Sequence, residues 1–417
     1  MKRYNKYVVT GVQWIPEIPQ HWSLGKVKYF YKMTTGFTPA TKNSNYYDAE
    51  KGYDWVTIGD LKGRVIYNST NKISSLAIND YSPTPTPKGS LMYSFKLSVG
   101  LVGFAGKELY TNEAIASFLE DSKTCLPYLY YAAPFFIEFN ANTNIYGAHI
   151  MNQELIKNAL IAFPPIDEQK AIANYLDEQC AKIDKVIAAQ EKRVELLQEL
   201  KQSIITRAVT KGINSHVKMR DSGVEWIGQI PEHWEIKKLK YLFSNLDYLR
   251  QPITADQRSK NNPIYDYYGA SGIIDKIDFY NVDDTVLLIG EDGANLVFRN
   301  LPLIYKASGK FWVNNHAHIL KPLIGVDYEY MYYTMECADY STFITGSAQP
   351  KLSQENMNQV QYPLPPLSEQ CKISKYIERK TIKIDSFITK ALCQIELLKE
   401  YKQSLITEVV TGKRKVS

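Results

Sequence analysis

Two strings in this chain hold residue types that could do chemistry. Gly290-Glu291-Asp292-Gly293-Ala294-Asn295 sets two carboxylates side by side, the kind of pair that can hold Mg²⁺. Asn314-Asn315-His316-Ala317-His318 sets two imidazoles at i and i+2, on one face of a strand, where a metal site could begin. A nuclease would need a further acid and a lysine on adjacent strands, and a zinc site would need a third ligand at recognisable spacing. Neither string is so equipped, so the first reads as a turn or loop and the second as polar contacts or structural roles. A phosphate-cradling loop needs GxxxxGK[ST], and Ala307-Ser308-Gly309-Lys310 has Ile304 where the first glycine belongs. Asn262-Pro263-Ile264-Tyr265 departs at the key proline from the Asn-Pro-Pro-aromatic loop of amino-methyltransferases. Gly100-Leu101-Val102-Gly103-Phe104-Ala105-Gly106 lacks GxGxxG spacing and reads as a strand and turn. The expectation is a chain with no catalytic residue, metal site or cofactor site of its own.

Composition narrows the class. At 417 residues the chain suits two domains or more, and 45% hydrophobic with 22% charged residues describes a soluble globular protein. The most apolar stretch, Leu126 to Phe139, is too short for a bilayer and is broken by Pro134. No apolar segment follows Met1-Lys-Arg-Tyr-Asn, so no secretory signal is expected. The five cysteines (Cys125, Cys180, Cys337, Cys371, Cys393) are scattered, which argues against disulfides and structural zinc and fits the cytoplasm. A net charge of +5 is weak evidence for a nucleic-acid partner: residues 213–366 carry 14 basic against 18 acidic side chains, so any anion-binding face there must be a local cluster.

The most informative feature is that the chain is written twice. Gly11-Val12-Gln13-Trp14-Ile15-Pro16-Glu17-Ile18-Pro19-Gln20-His21-Trp22 returns as Gly223-Val224-Glu225-Trp226-Ile227-Gly228-Gln229-Ile230-Pro231-Glu232-His233-Trp234, with Lys28-Tyr29 and Lys240-Tyr241 following. Pro164-Pro165-Ile166-Asp167-Glu168-Gln169 returns as Pro365-Pro366-Leu367-Ser368-Glu369-Gln370. Lys201-Gln202-Ser203-Ile204-Ile205-Thr206 then matches Lys402-Gln403-Ser404-Leu405-Ile406-Thr407. Between opening motif and helix lie variable blocks, roughly 31–162 and 244–363, that barely resemble each other. One frame carrying two different inserts suits a protein that reads two different things at a fixed separation. A duplicated enzyme with one decayed half is the alternative.

Each Pro-Pro opens a helix with an acidic first turn, and apolar residues follow at 3-4 spacing. Ile183, Ile187, Val194, Leu197 and Ile204 in the first copy, and Ile384, Ile388, Ile395, Leu398 and Leu405 in the second, form an a/d seam of about four heptads. Gln190, Lys201 and Lys402 are polar seam positions of the sort that fix register. Gly212 and Gly412 lie where the helices should stop. From Ile183 to Val209 is about 27 residues, or about 40 Å. Two such seams bury most simply against each other, antiparallel, giving a pseudo-two-fold molecule. Packing of each helix on its own domain is the simpler alternative. The variable blocks read as mixed and β-rich, from short runs such as Trp55-Val56-Thr57-Ile58 and Thr285-Val286-Leu287-Leu288-Ile289 between Gly/Asn/Asp turns.

At these residues the chain resembles the specificity subunits of type I restriction-modification enzymes, over nearly its whole length. The paired Trp-Ile-x-x-Ile-Pro-x-His-Trp and Pro-Pro-x-x-Glu-Gln motifs carry the resemblance. The second block adds Tyr267-Tyr268-Gly269-Ala270-Ser271-Gly272 and Gly346-Ser347-Ala348-Gln349-Pro350-Lys351-Leu352 to the two strings above. The first block is similar to a different member through Thr35-Gly36-Phe37-Thr38-Pro39, Trp55 to Leu61 and Thr111-Asn112-Glu113-Ala114. The resemblance implies an α+β chain with two mixed β-rich target-recognition domains (1–162 and 213–363) separated by two long antiparallel coiled-coil helices (163–212 and 364–417). It implies double-stranded DNA as partner, read as an asymmetric bipartite site, with two methyltransferase subunits docked on the helices and motor-nuclease subunits adding cleavage. S-adenosylmethionine, ATP and Mg²⁺ would belong to those partners.

A 40 Å rod spans roughly one duplex turn of about 34–36 Å. Basic and amide side chains beside turns or glycines are the expected DNA contacts: Lys42, Asn43, Lys62, Arg64, Lys96, Tyr146 and His149 in the first block. In the second they are Arg250, Gln251, Arg258, Tyr268, Lys310, Asn314, Gln349 and Lys351. A DNA-modifying enzyme with an unrecognised site, a paired carbohydrate- or peptide-binding module (the chain has 31 tyrosines), and a pure scaffold remain as alternatives.

Overall fold

A computed structural model describes residues 2–143, 149–254, 256, 258, 263–346 and 350–416. The chain is mixed helix and sheet, and divides into two compact units: residues 1–189 with 394–417, and residues 190–393. Two long helices, Ile166–Lys211 of 46 residues and Leu367–Val410 of 44 residues, each contribute to both. The first is about 69 Å long at 1.5 Å per residue, well beyond the seam alone. Among the described residues no helix is long and apolar enough to cross a membrane.

In the first unit a five-stranded sheet runs in the order Met33–Thr35, Ile115–Phe118, Leu91–Ser94, Val102–Ala105, Val65–Ile66. The first four pair antiparallel and the last joins in parallel. Two of its three inner strands, Ile-Ala-Ser-Phe and Leu-Met-Tyr-Ser, are buried along their whole length, which is why they show no polar alternation. The stretch broken in sequence by Pro134 is in fact one helix, Leu126–Glu138, that continues through the proline. Its buried Leu126, Tyr128, Leu129, Ala132, Phe136 and Ile137 belong to the same core as the sheet. A three-stranded sheet (Tyr110–Thr111, Tyr53–Val56, Asn71–Ile73) completes the block.

The second unit instead holds one six-stranded sheet, in the order Phe243–Asn245, Ala317–Pro322, Val282–Gly290, Ile304–Val313, Tyr265–Gly269, Gly272–Ile277. The helix Tyr328–Cys337, capped by Asp327 accepting from the Tyr330 amide at 2.8 Å, covers it. The buried Tyr330 hydroxyl donates to the carbonyl of Pro363 at 2.9 Å.

Beneath these different sheets the frame is the same. Ser23–Lys26 pairs antiparallel with Leu160–Phe163, and Glu235–Lys238 pairs antiparallel with Gln361–Leu364. Each pair closes its variable block immediately before Pro-Pro and the helix. The buried Gln169 side chain donates to the Pro164 carbonyl at 2.8 Å, and Gln370 does the same to Pro365 at 2.8 Å.

Within each unit the helix segments run antiparallel. Ile172, Leu176 and Ile183 share a core with Leu405, Val409 and Val410; Ile205, Ala208 and Val209 share one with Ile373 and Ile377. Ile183, Val194, Ile384, Ile395 and Leu405 are buried, and Ile187, Leu197, Ile204, Ile388 and Leu398 are half-buried. Seam side chains are thus used inside the chain, whereas Leu196, Leu200, Ile382, Phe387, Leu397 and Tyr401 stay exposed. Both helices end where the glycines predict, with Gly212 at φ +75° and Gly412 at φ +73°.

Candidate nucleic-acid interface

In the second unit the motifs read from the sequence converge. The strand Val282–Gly290 ends at Glu291, whose two carboxylate oxygens take Arg250 at 3.0 Å and Lys351 at 3.3 Å. Arg250 also lies 3.4 Å from Asp247 and donates to the Asn315 carbonyl. Asp247 in turn meets the buried His318 Nδ1 at 2.5 Å and accepts from the Ile319 amide at 2.9 Å, while His318 Nε2 faces the Leu352 carbonyl. Burial pushes both carboxyls up, but these hydrogen bonds and the neighbouring cations outweigh it. Asp247 and Glu291 are therefore held below the usual carboxylate range. Glu291 is occupied by the cations Arg250 and Lys351 rather than paired with Asp292, which lies 3.6 Å from His316.

Beyond Arg250 and Lys351, the expected contacts of this block are placed in different ways. Tyr268 and Asn314 are buried; Asn314 Oδ1 accepts from the His316 amide at 2.8 Å and so shapes the loop. Burial raises the Tyr268 hydroxyl, consistent with a side chain inside the sheet. Gln251 is exposed, with its carbonyl accepting from Trp312 Nε1. Arg258 stacks on Tyr267 at 4.5 Å and pairs with Asp275, while Lys310 lies over Tyr280 at 4.6 Å. Gln349 lies outside the described residues. The sequence reading missed Tyr248, 79% exposed between Asp247 and Arg250, and the organising role of Asp247, whereas His318 takes a structural role of the kind expected for its string.

In the first unit Thr35-Gly36-Phe37 packs directly on Thr111-Asn112. The Phe37 amide donates to the Thr111 carbonyl at 2.9 Å, and a Cβ on Gly36 would stand 1.8 Å from that oxygen, so only glycine fits. Thr38 hydrogen-bonds Glu113, and Lys96 lies 3.6 Å from the same carboxylate. Burial raises the Glu113 carboxyl, but Thr38 and Lys96 lower it further. Lys42 and Lys62 are exposed, and the Asn43 side chain is used locally, accepting from the Asn45 amide.

Arg64 is placed differently from the expectation. Its guanidinium is bidentate to Asp177 of the first long helix (2.5 and 2.8 Å), donates to the Tyr131 hydroxyl and stacks at 4.8 Å on Tyr130. That fork is satisfied by protein, so Arg64 is a structural clamp and not a free cation. Tyr146 lies outside the described residues, and of His149 only the backbone is described, in a strand paired with Asn142–Thr143.

Two similar frames thus hold unlike sheets, one in each compact unit. The chain belongs to the type I restriction modification DNA specificity domain family, whose model matches residues 19–196 and again 231–397. It is 23% identical to the type I restriction enzyme MjaVIII specificity subunit of Methanocaldococcus jannaschii, over 96% of this chain and 94% of that one. A putative specificity subunit of Haemophilus influenzae, S.HindORF215P, is 29% identical, over 39% of each chain. The EcoprrI specificity subunit of Escherichia coli is 21% identical over 88% of this chain and 87% of its own. Among solved structures, a chain from work on complex assembly and conformational transition of the type I R-M system superposes with a TM-score of 0.72. It is 12% identical and covers 94% of this chain and 98% of its own. The HsdS subunit of Thermoanaerobacter tengcongensis gives 0.52 at 13% identity, over 95% and 98%. These likenesses carry the fold assignment over 94–95% of this chain.

Proposed function

We propose that this chain is the non-catalytic DNA-recognition subunit of a type I restriction-modification complex. On this reading residues 1–162 and 213–363 each read one half of an asymmetric bipartite site in double-stranded DNA. Segments 163–212 and 364–417 set the unread gap and dock two methyltransferase subunits, with motor-nuclease subunits joining for cleavage. One observation carries the reading: a frame repeated in its motifs and strand pairing supports two differently built sheets, which suits two different half-sites. DNA contacts, to base edges and to phosphates, come from Gln251, Arg258, Lys310, Gln349 and Lys351 in one unit, and Lys42, Asn43, Lys62, Lys96, Tyr146 and His149 in the other. Arg250, Tyr268 and Asn314 hold the loops in shape, and Arg64 leaves the reading set. The exposed apolar residues of the helices, not the seam, form the docking faces. S-adenosylmethionine, ATP and Mg²⁺ act on the partners.

Genome-wide base-methylation mapping in cells expressing the chain with its cognate methyltransferase tests this. The expected result is an asymmetric two-part motif with a fixed gap, lost when the chain is deleted. Methylation indifferent to the chain overturns the reading in favour of a scaffold.

A further inference from the structure

The first unit carries a side chain that neither its core nor the repeated frame accounts for. Leu97 is 98% exposed at the tip of the hairpin joining Leu91–Ser94 to Val102–Ala105. Its φ is +59°, in the left-handed region that costs a leucine and that glycine adopts freely, as Gly100 does three residues later at φ +92°. A large apolar residue that is both strained and bare persists only where the surroundings impose it.

The surroundings here do so. The buried Ser94 accepts from the Leu101 amide through its hydroxyl (2.9 Å) and from the Gly100 amide through its carbonyl (3.0 Å); the hydroxyl also donates to the Ser98 carbonyl. The Phe95 amide is tied to the Ala114 carbonyl at 2.9 Å, and Val99 packs on the core. The tip is latched from inside, so Leu97 is presented on a rigid mount. Beside it Lys96 reaches Glu113, which also holds Thr38, so the tip stands against the Thr35–Pro39 and Thr111–Ala114 loops.

We infer that Leu97 is a wedge that enters the base stack of duplex DNA at the first half-site, with Lys96 beside it for the flanking phosphate. The inference rests on the recognition reading above. The Leu97 tip is flanked by the exposed Lys96 and Ser98, and within its hairpin only Leu101, 40% exposed, adds another large exposed apolar side chain, short of the apolar centre of a protein interface. It has the form of side chains that part a base step, where one leucine gains contact on both faces and a neighbouring cation meets the backbone.

The test uses the full chain with its methyltransferase partner, a duplex carrying the mapped site, a scrambled duplex of equal length, and 2-aminopurine stepped through the first half-site. Leu97→Gly relieves the left-handed backbone, so its melting temperature should not fall. It should bind the mapped duplex about tenfold more weakly, bind the scrambled duplex unchanged, and lose a fluorescence rise that the wild type shows at one step. Leu97→Phe should keep both. A Leu97→Gly variant that binds the mapped duplex like wild type overturns the wedge and leaves recognition standing. So does one that fails to co-elute with the methyltransferase, which would make the tip a protein contact. A wild type that does not distinguish the two duplexes overturns recognition and the wedge with it.

Discussion

Lys402 of the second long helix lies 2.6 Å from Asp184 of the first, and its repeat equivalent Lys201 lies 2.7 Å from Asp385. Each bridge joins the lysine of one copy to the aspartate of the other, one in each compact unit. The lysines hold position on the helix and reach out to a carboxylate at the rim instead of sitting in the seam.

These bridges are well exposed, so each is worth under about 1 kcal/mol and serves register more than stability. Lys402→Asp alone should lower the urea midpoint modestly, and adding Asp184→Lys should restore it. A double-mutant cycle with no recovery would remove the pair from the determinants of register.

Glu168 gathers the first opening motif onto its helix, accepting from Tyr4 (2.6 Å) and Trp22 Nε1 (3.2 Å), with His21 Nε2 at 2.8 Å. Glu168→Gln should cost about 1–3 kcal/mol in denaturant unfolding. Glu369→Gln should cost less. Glu369 meets His233 at 2.8 Å, but Trp234 Nε1 has no partner among the described residues.

The two terminal glycines differ in a way that thermal unfolding will show. A Cβ on Gly412 would stand 2.4 Å from Pro19 Cδ, whereas on Gly212 the nearest atom, in Trp234, is 3.2 Å away. Gly212→Ala should cost about 1 kcal/mol for its left-handed backbone alone. Gly412→Ala should cost more, because the opening motif must move as well. Equal losses would show that the Pro19 contact yields freely.

Acid should loosen the second unit through Asp247 and Glu291. Both carboxyls are depressed in the folded state, so their contribution is full above the ordinary carboxylate range near about 4 and is lost as pH falls below it. Asp247→Asn should cost about 3 kcal/mol at neutral pH and flatten the fall in unfolding midpoint between about pH 5 and 2. An unchanged acid profile would mean that the cluster does not govern acid unfolding.

Lys351 and Lys62 should separate reading from positioning. Lys351→Ala is expected to relax one position of the mapped motif at a cost of about 1–3 kcal/mol, and Lys62→Ala to weaken mapped and scrambled duplexes alike. If Lys351→Ala lost the same on both duplexes, that lysine would belong with the phosphate contacts.

Much of this was legible in the residues alone, because it is local or periodic. The 3-4 spacing from Ile183 to Leu405 specifies helices with a buried seam, Pro-Pro and glycine punctuate them, and the doubled motifs declare the repeat. Even the family could be named from those strings. The tertiary structure decided what lies between distant positions. Arg64 looks like any basic residue beside a glycine until Asp177, 113 residues later, is found against it. Tyr268 and Asn314 carry recognition-type side chains but are buried by a sheet whose strand order no short window encodes. Nothing in the residues around Leu97 marks it as exposed, and the Ser94 latch that turns it outward is a contact of the folded hairpin. Helical periodicity is written within a few residues, whereas a side chain's exposure and partners depend on which strands meet, and long-range packing alone settles that.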